Sequence, residues 1–235
     1  MNLAIIVAAG KGKRMGLKGG KQFITLLDKP LLAYTLVSFQ QAASIDSIVI
    51  VTTQENHDKS LSVTEKFNIV KVDRVVIGGE ERQDSVYNGL KAAKDFKKVD
   101  IVVVHDGARP LVEPELIDRV VDGVAGCHGA IAGIPAKDTI KLISGDQVFK
   151  TIDRTQLWQI QTPQAFLFDA LLAAHEKAKA DKFYGTDDSV LVERIGGKVR
   201  VVMGSDENIK ITTPTDLALA EAILRNRESA KNMGQ

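Results

Sequence analysis

The sequence predicts an α/β protein with a mostly parallel central sheet and helices on both faces. Two observations carry this. Short, continuous apolar runs alternate with amphipathic helical stretches through the first 125 residues or so, the pattern of a parallel sheet covered on both sides. The first of those runs, Leu3-Ala-Ile-Ile-Val-Ala-Ala9, leads into a loop rich in glycine and basic side chains. Such loops at the carboxyl ends of buried strands are where α/β sheets bind ligands.

The opening loop runs Gly10-Lys-Gly-Lys-Arg14-Met-Gly-Leu-Lys-Gly-Gly-Lys21, and no acidic residue precedes Asp28. Glycine lets backbone approach a ligand closely, and cations beside free N–H groups make an anion site. A solvated basic loop is the plain alternative. A Walker loop needs glycine, four residues, then Gly-Lys-Ser/Thr, and none of the Gly-Lys pairs at Lys11, Lys13, Lys21 and Lys198 completes it. A dinucleotide fingerprint needs a third glycine where Met15 stands. The basic surplus favours a triphosphate.

Pro30 precedes a helical stripe of Leu31, Leu32, Leu36 and Phe39. Residues 46–53 read as a strand, 56–67 as a helix and 70–77 as a strand ended by Gly78-Gly79. Residues 81–96 then read as a helix, 100–105 as a strand and 114–125 as a helix opened by Pro114 and Glu115. The loops at Gly10, Gly79 and Asp106 should share one edge of the sheet.

The alternation then breaks. Residues 130–135 form a short strand. Residues 137–154 alternate around Ser144-Gly-Asp-Gln147 and read as a hairpin, either packed on the body or projecting to a partner. The chain returns through 158–166, a helix near 168–180 and a helix opened by Gly185-Thr-Asp-Asp-Ser189, with Thr186 as its cap. A strand at 199–203, a short strand at 208–212 and a helix at 214–227 close the chain.

The composition is that of a globular protein: 235 residues, 44% hydrophobic and 26% charged, with net charge +1. No global field draws it to nucleic acid or to an acidic membrane. The one cysteine, Cys127, excludes intrachain disulfides and multi-cysteine metal sites. No signal or membrane-spanning pattern is present. A cytoplasmic, soluble protein is expected, built as one domain over 1–235.

Individual residues admit two readings each. Asp106 ends a buried strand and would either cap a turn or hold a divalent ion bridging phosphates. His105 reads as a packed strand-end residue. Gly78-Gly-Glu-Glu-Arg-Gln-Asp-Ser85 is either a plain helix start or backbone amides and Ser85 reading a base edge. Arg154 and Lys210 are isolated cations. No G-x-S-x-G or H-E-x-x-H pattern occurs, so covalent-hydrolase and zinc chemistry fall away.

Several segments together carry a family signature. They are Val7-Ala-Ala-Gly-Lys-Gly-Lys-Arg-Met15, Lys21-Gln-Phe23, Gly78-Gly-Glu-Glu-Arg-Gln-Asp-Ser85 and His105-Asp-Gly-Ala-Arg-Pro110. Thr162-Pro-Gln-Ala-Phe166, Gly185-Thr-Asp-Asp188 and Asn208-Ile-Lys-Ile-Thr-Thr-Pro-Thr-Asp216 complete it. In this order the chain resembles the 2-C-methyl-D-erythritol 4-phosphate cytidylyltransferases. Ribitol-5-phosphate cytidylyltransferase and a non-catalytic nucleotide sensor are the rival readings.

The resemblance implies a Rossmann-like nucleotidyltransferase fold, transfer of CMP from CTP to methylerythritol phosphate, Mg²⁺, and a homodimer formed through a hairpin arm at 137–154. It makes Arg14, Lys21, Arg154 and Lys210 catalytic. It places Ala8, Ala9, Gly10 and Gly12 around CTP, and Gly79, Glu80, Arg82 and Ser85 near cytosine and ribose. Asp106 would serve ribose, substrate and metal. Gly107, Arg109, Thr139, Thr162 and Thr186 complete the substrate-binding set, with Thr139 and Arg154 candidates for the neighbouring subunit's site. Val7, Gly20 and Glu80 depart from the family's common proline, proline and aspartate, and none of these changes removes a charge.

Overall fold

The computed structural model describes residues 1–10 and 20–233. Strand β1 (Asn2–Val7) is followed by a 3₁₀ turn at Lys21–Phe23, the short pair β2 (Thr25–Leu26) and β3 (Lys29–Pro30), and α1 (Leu31–Gln41). Then come β4 (Ser47–Thr52), α2 (His57–Lys66), β5 (Val72–Ile77), α3 (Arg82–Ala93), β6 (Ile101–Asp106) and α4 (Pro114–Asp122). The second half contains β7 (Gly129–Pro135), β8 (Ile140–Ser144), β9 (Gln147–Ile152) and β10 (Trp158–Leu167). It ends with α5 (Phe168–Ala180), α6 (Ser189–Arg194), β11 (Val199–Met203) and α7 (Pro214–Met233).

Seven strands form one sheet in the order β11-β7-β10-β6-β1-β4-β5. Only β10 runs antiparallel to its neighbours. The chain steps outward from β1 to β4 and β5, then returns to place β6 on the other side of β1. That reversal opens a crevice beyond the carboxyl ends of β1 and β6. The register Ile6↔His105 and Val7↔Asp106 sets the two exits side by side.

Side-chain alternation along the central strands explains the two faces. Ala4, Ile6, Ile48, Ile50 and Val103 pack under α1 and α4, where Leu36, Phe39, Ile117 and Val120 are fully buried. Leu3, Ile5, Val49, Val51, Val102 and Val104 pack under α3, α5 and α6, against Val86, Leu90, Leu171 and Val192. Burying each such side chain contributes roughly 1.5–3 kcal/mol. The helix α3 lies so close to β1 that a Cβ on Gly89 would sit 2.8 Å from Ile5 Cγ2. A third cluster of Leu26, Leu31, Leu111, Ile211 and Ala220 seats α7.

Strands β8 and β9 make a separate hairpin, turning at Gly145 with φ 62°. Its residues are exposed along both strands except half-buried Ile152. Of the two readings left open, the hairpin projects.

Two local expectations are corrected. Residues 208–212 form no strand, because their polar groups make isolated bonds in place of a ladder: Ile211 N–H donates to Ala108 O in the loop after β6 at 2.8 Å, and Asn208 Nδ2 donates to Thr162 O of β10 at 2.8 Å. Thr186 does not cap a helix. Since α6 begins at Ser189, the first-turn N–H of Val190 is satisfied by Asp187 Oδ1 at 3.1 Å. The last helix also runs on past residue 227 to Met233.

Candidate active site

A cleft of about 590 Å³ opens where the sheet topology reverses, and Val7, Ala8, Gly10, Lys21, Arg82 and Lys210 are among its lining residues. That volume suits a nucleotide-sized ligand. The loops at Gly10, Gly79 and Asp106 all reach it, as expected from strand order.

Backbone forms one wall. Ala8 N–H donates to Val51 O at 2.7 Å, which carries β1 straight into the loop. Gln22 Nε2 donates to Ala8 O and ties the far end of the basic loop to its start. Among the described residues, a Cβ built on Gly10 meets nothing within 4 Å. Gly12 and Arg14 lie outside the described residues.

The second wall is the start of α3. Asp84 accepts from Glu81 N–H at 3.2 Å in a capping box. Ser85 is buried, accepting from Gly79 N–H and donating to Glu81 O, both at 3.1 Å. Its hydroxyl therefore shapes the Gly79 loop at the cleft wall. A Cβ on Gly78 would come within 2.6 Å of Ser85 Oγ and 2.7 Å of Ala9 Cβ, so this contact between loops requires glycine.

The floor is ionic. Asp106 accepts from Arg82 Nε at 2.9 Å through Oδ1 and pairs with Lys210 Nζ at 2.6 Å through Oδ2. Arg82 reaches on to Asp188 Oδ2 at 2.7 Å, and Asp188 Oδ1 meets His175 Nε2 at 3.1 Å. Burial alone would raise the Asp106 pKa, but the charges of Arg82 and Lys210 outweigh it and hold the carboxyl well below its ordinary range. Asp188 is treated alike: burial opposes ionisation, and Arg82 and the His175 hydrogen bond prevail. Burial depresses Arg82 itself, yet the two carboxylates more than offset it and raise its pKa.

The remaining cations are set by the segment at 208–212. Lys21 Nζ donates to Ile211 O at 3.1 Å, next to Lys210. Arg109 is half-buried, donates to Asn208 O at 2.6 Å and braces that segment from behind. Its pKa is lowered by burial. Thr162 is buried and accepts from Asp106 N–H at 3.1 Å. Gly107 N–H donates to Val7 O at 2.9 Å. His105 is packed against Phe39, as expected of a strand-end residue, and burial lowers its pKa to about 3.

The structure thus gathers Ala8, Ala9, Gly10, Lys21, Gly79, Glu80, Arg82, Ser85, Asp106, Gly107 and Lys210 around one cleft. Arg109 and Thr162 stand behind it. Thr139 and Arg154 are exposed at the base of the hairpin, where Arg154 donates to Lys137 O. Thr186 is exposed on the loop before α6. Asp188, His175, Gln22 and Asn208 are parts of the site that sequence reasoning did not select. Asp188 belonged to a quoted motif but read as helix-cap chemistry, and a single histidine inside an amphipathic helix carried no signal.

Glycine backbone on one side, cations on the other and a reversal in a mostly parallel sheet define a nucleotide-binding α/β protein of the phosphate-transferring kind. The model of the family "IspD: 2-C-methyl-D-erythritol 4-phosphate cytidylyltransferase" matches residues 2–226. The chain belongs to this family. It is 45% identical to the 2-C-methyl-D-erythritol 4-phosphate cytidylyltransferase of Geotalea uraniireducens, over 97% of this chain and 98% of that protein. It is 45% identical to that of Clostridioides difficile, over 95% and 94%. Among solved structures, 4-diphosphocytidyl-2C-methyl-D-erythritol synthase from Anaerococcus prevotii superposes with TM-score 0.85 at 33% identity, covering 96% of each chain. The Thermus thermophilus enzyme superposes with TM-score 0.78 at 29% identity, covering 96% of this chain and all of that one.

Proposed function

We propose that this chain transfers CMP from CTP to 2-C-methyl-D-erythritol 4-phosphate, releasing pyrophosphate and forming the diphosphocytidyl sugar alcohol of isoprenoid precursor synthesis. The observation that carries this is that Lys21 and Lys210 line the same cleft as the Gly10 and Gly79 loops, Lys21 bonded to the Ile211 carbonyl beside Lys210 and Lys210 paired with Asp106.

The attacking group is a phosphate monoester. Its second pKa lies near 6, so at neutral pH it is largely dianionic, and no general base is required. What the reaction needs is alignment with the α-phosphorus and relief of repulsion between anions. Lys21 and Lys210 supply positive charge, with Arg14 from the basic loop as a third source. Gly10 backbone admits the triphosphate, and Gly79, Glu80, Arg82 and Ser85 take the cytosine and ribose end.

Mg²⁺ is part of the proposal. The described residues hold no cluster of three or more His, Cys, Asp or Glu side chains arranged for a metal. Magnesium, however, commonly binds one or two carboxylates and otherwise substrate phosphates and water, and Asp106 at the end of β6 is the carboxylate that would hold it, exchanging its Arg82 or Lys210 contact for the ion. When bound, the ion neutralises phosphate charge.

The projecting hairpin is proposed to pair with a second copy of the chain. Ile143, Val148 and Phe149 are 52–71% exposed on it, more apolar surface than a two-strand ribbon keeps in water without a partner. Thr139 and Arg154 would then serve the neighbouring site, with Arg154 positioning the attacking phosphate. One nucleotidyltransferase domain with a dimerising arm is the resulting organisation. No helix among the described residues is long and apolar enough to cross a membrane; a cytoplasmic enzyme is proposed.

Pyrophosphate release measured with CTP and either methylerythritol phosphate or ribitol 5-phosphate tests the reading. Turnover is expected with the former. Turnover with ribitol 5-phosphate alone, or CTP binding without turnover on either, would reject it.

A further inference from the structure

We infer that His175 and Asp188 are positioning residues that set Arg82 for the nucleotide; this rests on the proposed reading that Arg82 faces CTP. The cleft wall contributed by α3 is held from outside the cleft. Asp188 and His175 have side chains only 1% exposed, whereas Arg82 keeps 28% exposure on the cleft. Neither buried residue lines the cleft, so any effect they have on a ligand passes through Arg82.

The bonding is directional. An ionised carboxylate only accepts hydrogen bonds. Asp188 gives Oδ2 to Arg82 and Oδ1 to His175, so His175 must carry its proton on Nε2. With both oxygens engaged, Asp188 cannot rotate, and Arg82 lies between it and Asp106. Without the His175 donor, a buried Asp188 would turn to find another partner, and the Arg82 guanidinium would lose its fixed plane.

The same helix is held a second time. Tyr87 of α3 stacks on the His175 ring with centroids 6.2 Å apart and planes 8° from parallel. Gln83 donates to Phe183 O and accepts from Gly185 N–H, both at 2.9 Å. Phe183, Tyr184, Gly185 and Asp188 thus all bond to the first turn of α3. This gives the Gly185-Thr-Asp-Asp188 run a role beyond opening a helix: it orients the residue that begins α3.

The test uses the full chain and compares His175→Asn, His175→Gln and Asp188→Asn with wild type. Glutamine places an amide N–H near the position of Nε2, whereas asparagine is too short to reach Asp188. His175→Asn and Asp188→Asn should raise KM for CTP about tenfold, the scale of one charge-assisted hydrogen bond, and leave kcat within a factor of about three. KM for the sugar phosphate should not move. His175→Gln should restore KM for CTP to near the wild-type value.

An unchanged KM for CTP in His175→Asn would overturn the inference. So would a His175→Gln variant no better than His175→Asn, or a parallel loss in both substrates that tracks a lower Tm. Calorimetric binding of CTP gives the same comparison without turnover. If wild type shows no turnover the functional reading fails, and the calorimetric ratios still decide the role of His175.

Discussion

Lys210 Nζ lies 2.6 Å from Asp106 Oδ2, although one residue ends a core strand and the other sits in a loop just before the final helix. Asp106 also binds Arg82, so one carboxylate sets the positions of two cations on the floor of the cleft. The pairing fixes the Lys210 ammonium in advance of any anion, which lowers the cost of organising it when substrate arrives.

Replacing Lys210 by methionine keeps its length and removes its charge. If Lys210 stabilises the reacting phosphates, kcat should fall by about 10²–10³-fold with a smaller change in KM. Steady-state pyrophosphate release resolves the two parameters.

Arg14 is expected to act on the charge developing at the α-phosphate. Arg14→Ala should lower kcat on the order of 10²-fold or more. A raised KM with kcat intact would restrict Arg14 to binding ground-state CTP.

Gly78→Ala places a methyl group against Ser85 Oγ and Ala9 Cβ at 2.6 and 2.7 Å. Neither neighbour is the free end of a flexible side chain. We expect a loss of about 1–3 kcal/mol in stability, together with a higher KM for CTP because the two cleft loops are pushed apart. Thermal melting and kinetics on one preparation check both.

Asp188 links stability to pH. Its native pKa is lowered relative to the unfolded carboxyl near 3.9, so its contribution is fully present above that value. It is lost as pH falls below about 4 toward the native pKa, with a slope of at most about 1.4 kcal/mol per pH unit. Asp188→Asn should flatten the acid limb of a Tm-against-pH curve. An unaltered limb would show that other carboxyls govern acid unfolding.

Deleting residues 138–152 should convert a dimer into a monomer by light scattering and lower activity, since Thr139 goes with the arm. A fully dimeric, active product would remove the arm from assembly.

Much of the fold was legible because period and punctuation are local. The strands at 48–51 and 101–104 are continuous apolar runs with both faces buried, and Pro114 with Glu115 marks the start of α4. The segment at 208–212 misled because Ile209 and Ile211 alternate with polar residues as a strand would. Their apolar side chains seat α7, while their backbone bonds elsewhere. Thr186 misled because its capping pattern is shared by Asp187, one residue closer to the helix.

The amino-acid sequence by itself determined the α/β class, the buried strands, the glycine-basic loop and the type of charge available for phosphate chemistry. Each of these depends on neighbours a few residues apart. Tertiary structure alone decided that β10 enters the sheet reversed, that Lys21 bonds to Ile211 O beside Lys210, and that His175 and Asp188 brace Arg82 from behind. Those relations join segments brought together only by packing helices on both faces of the sheet, and a buried ion pair depends on the whole enclosure that excludes water from it.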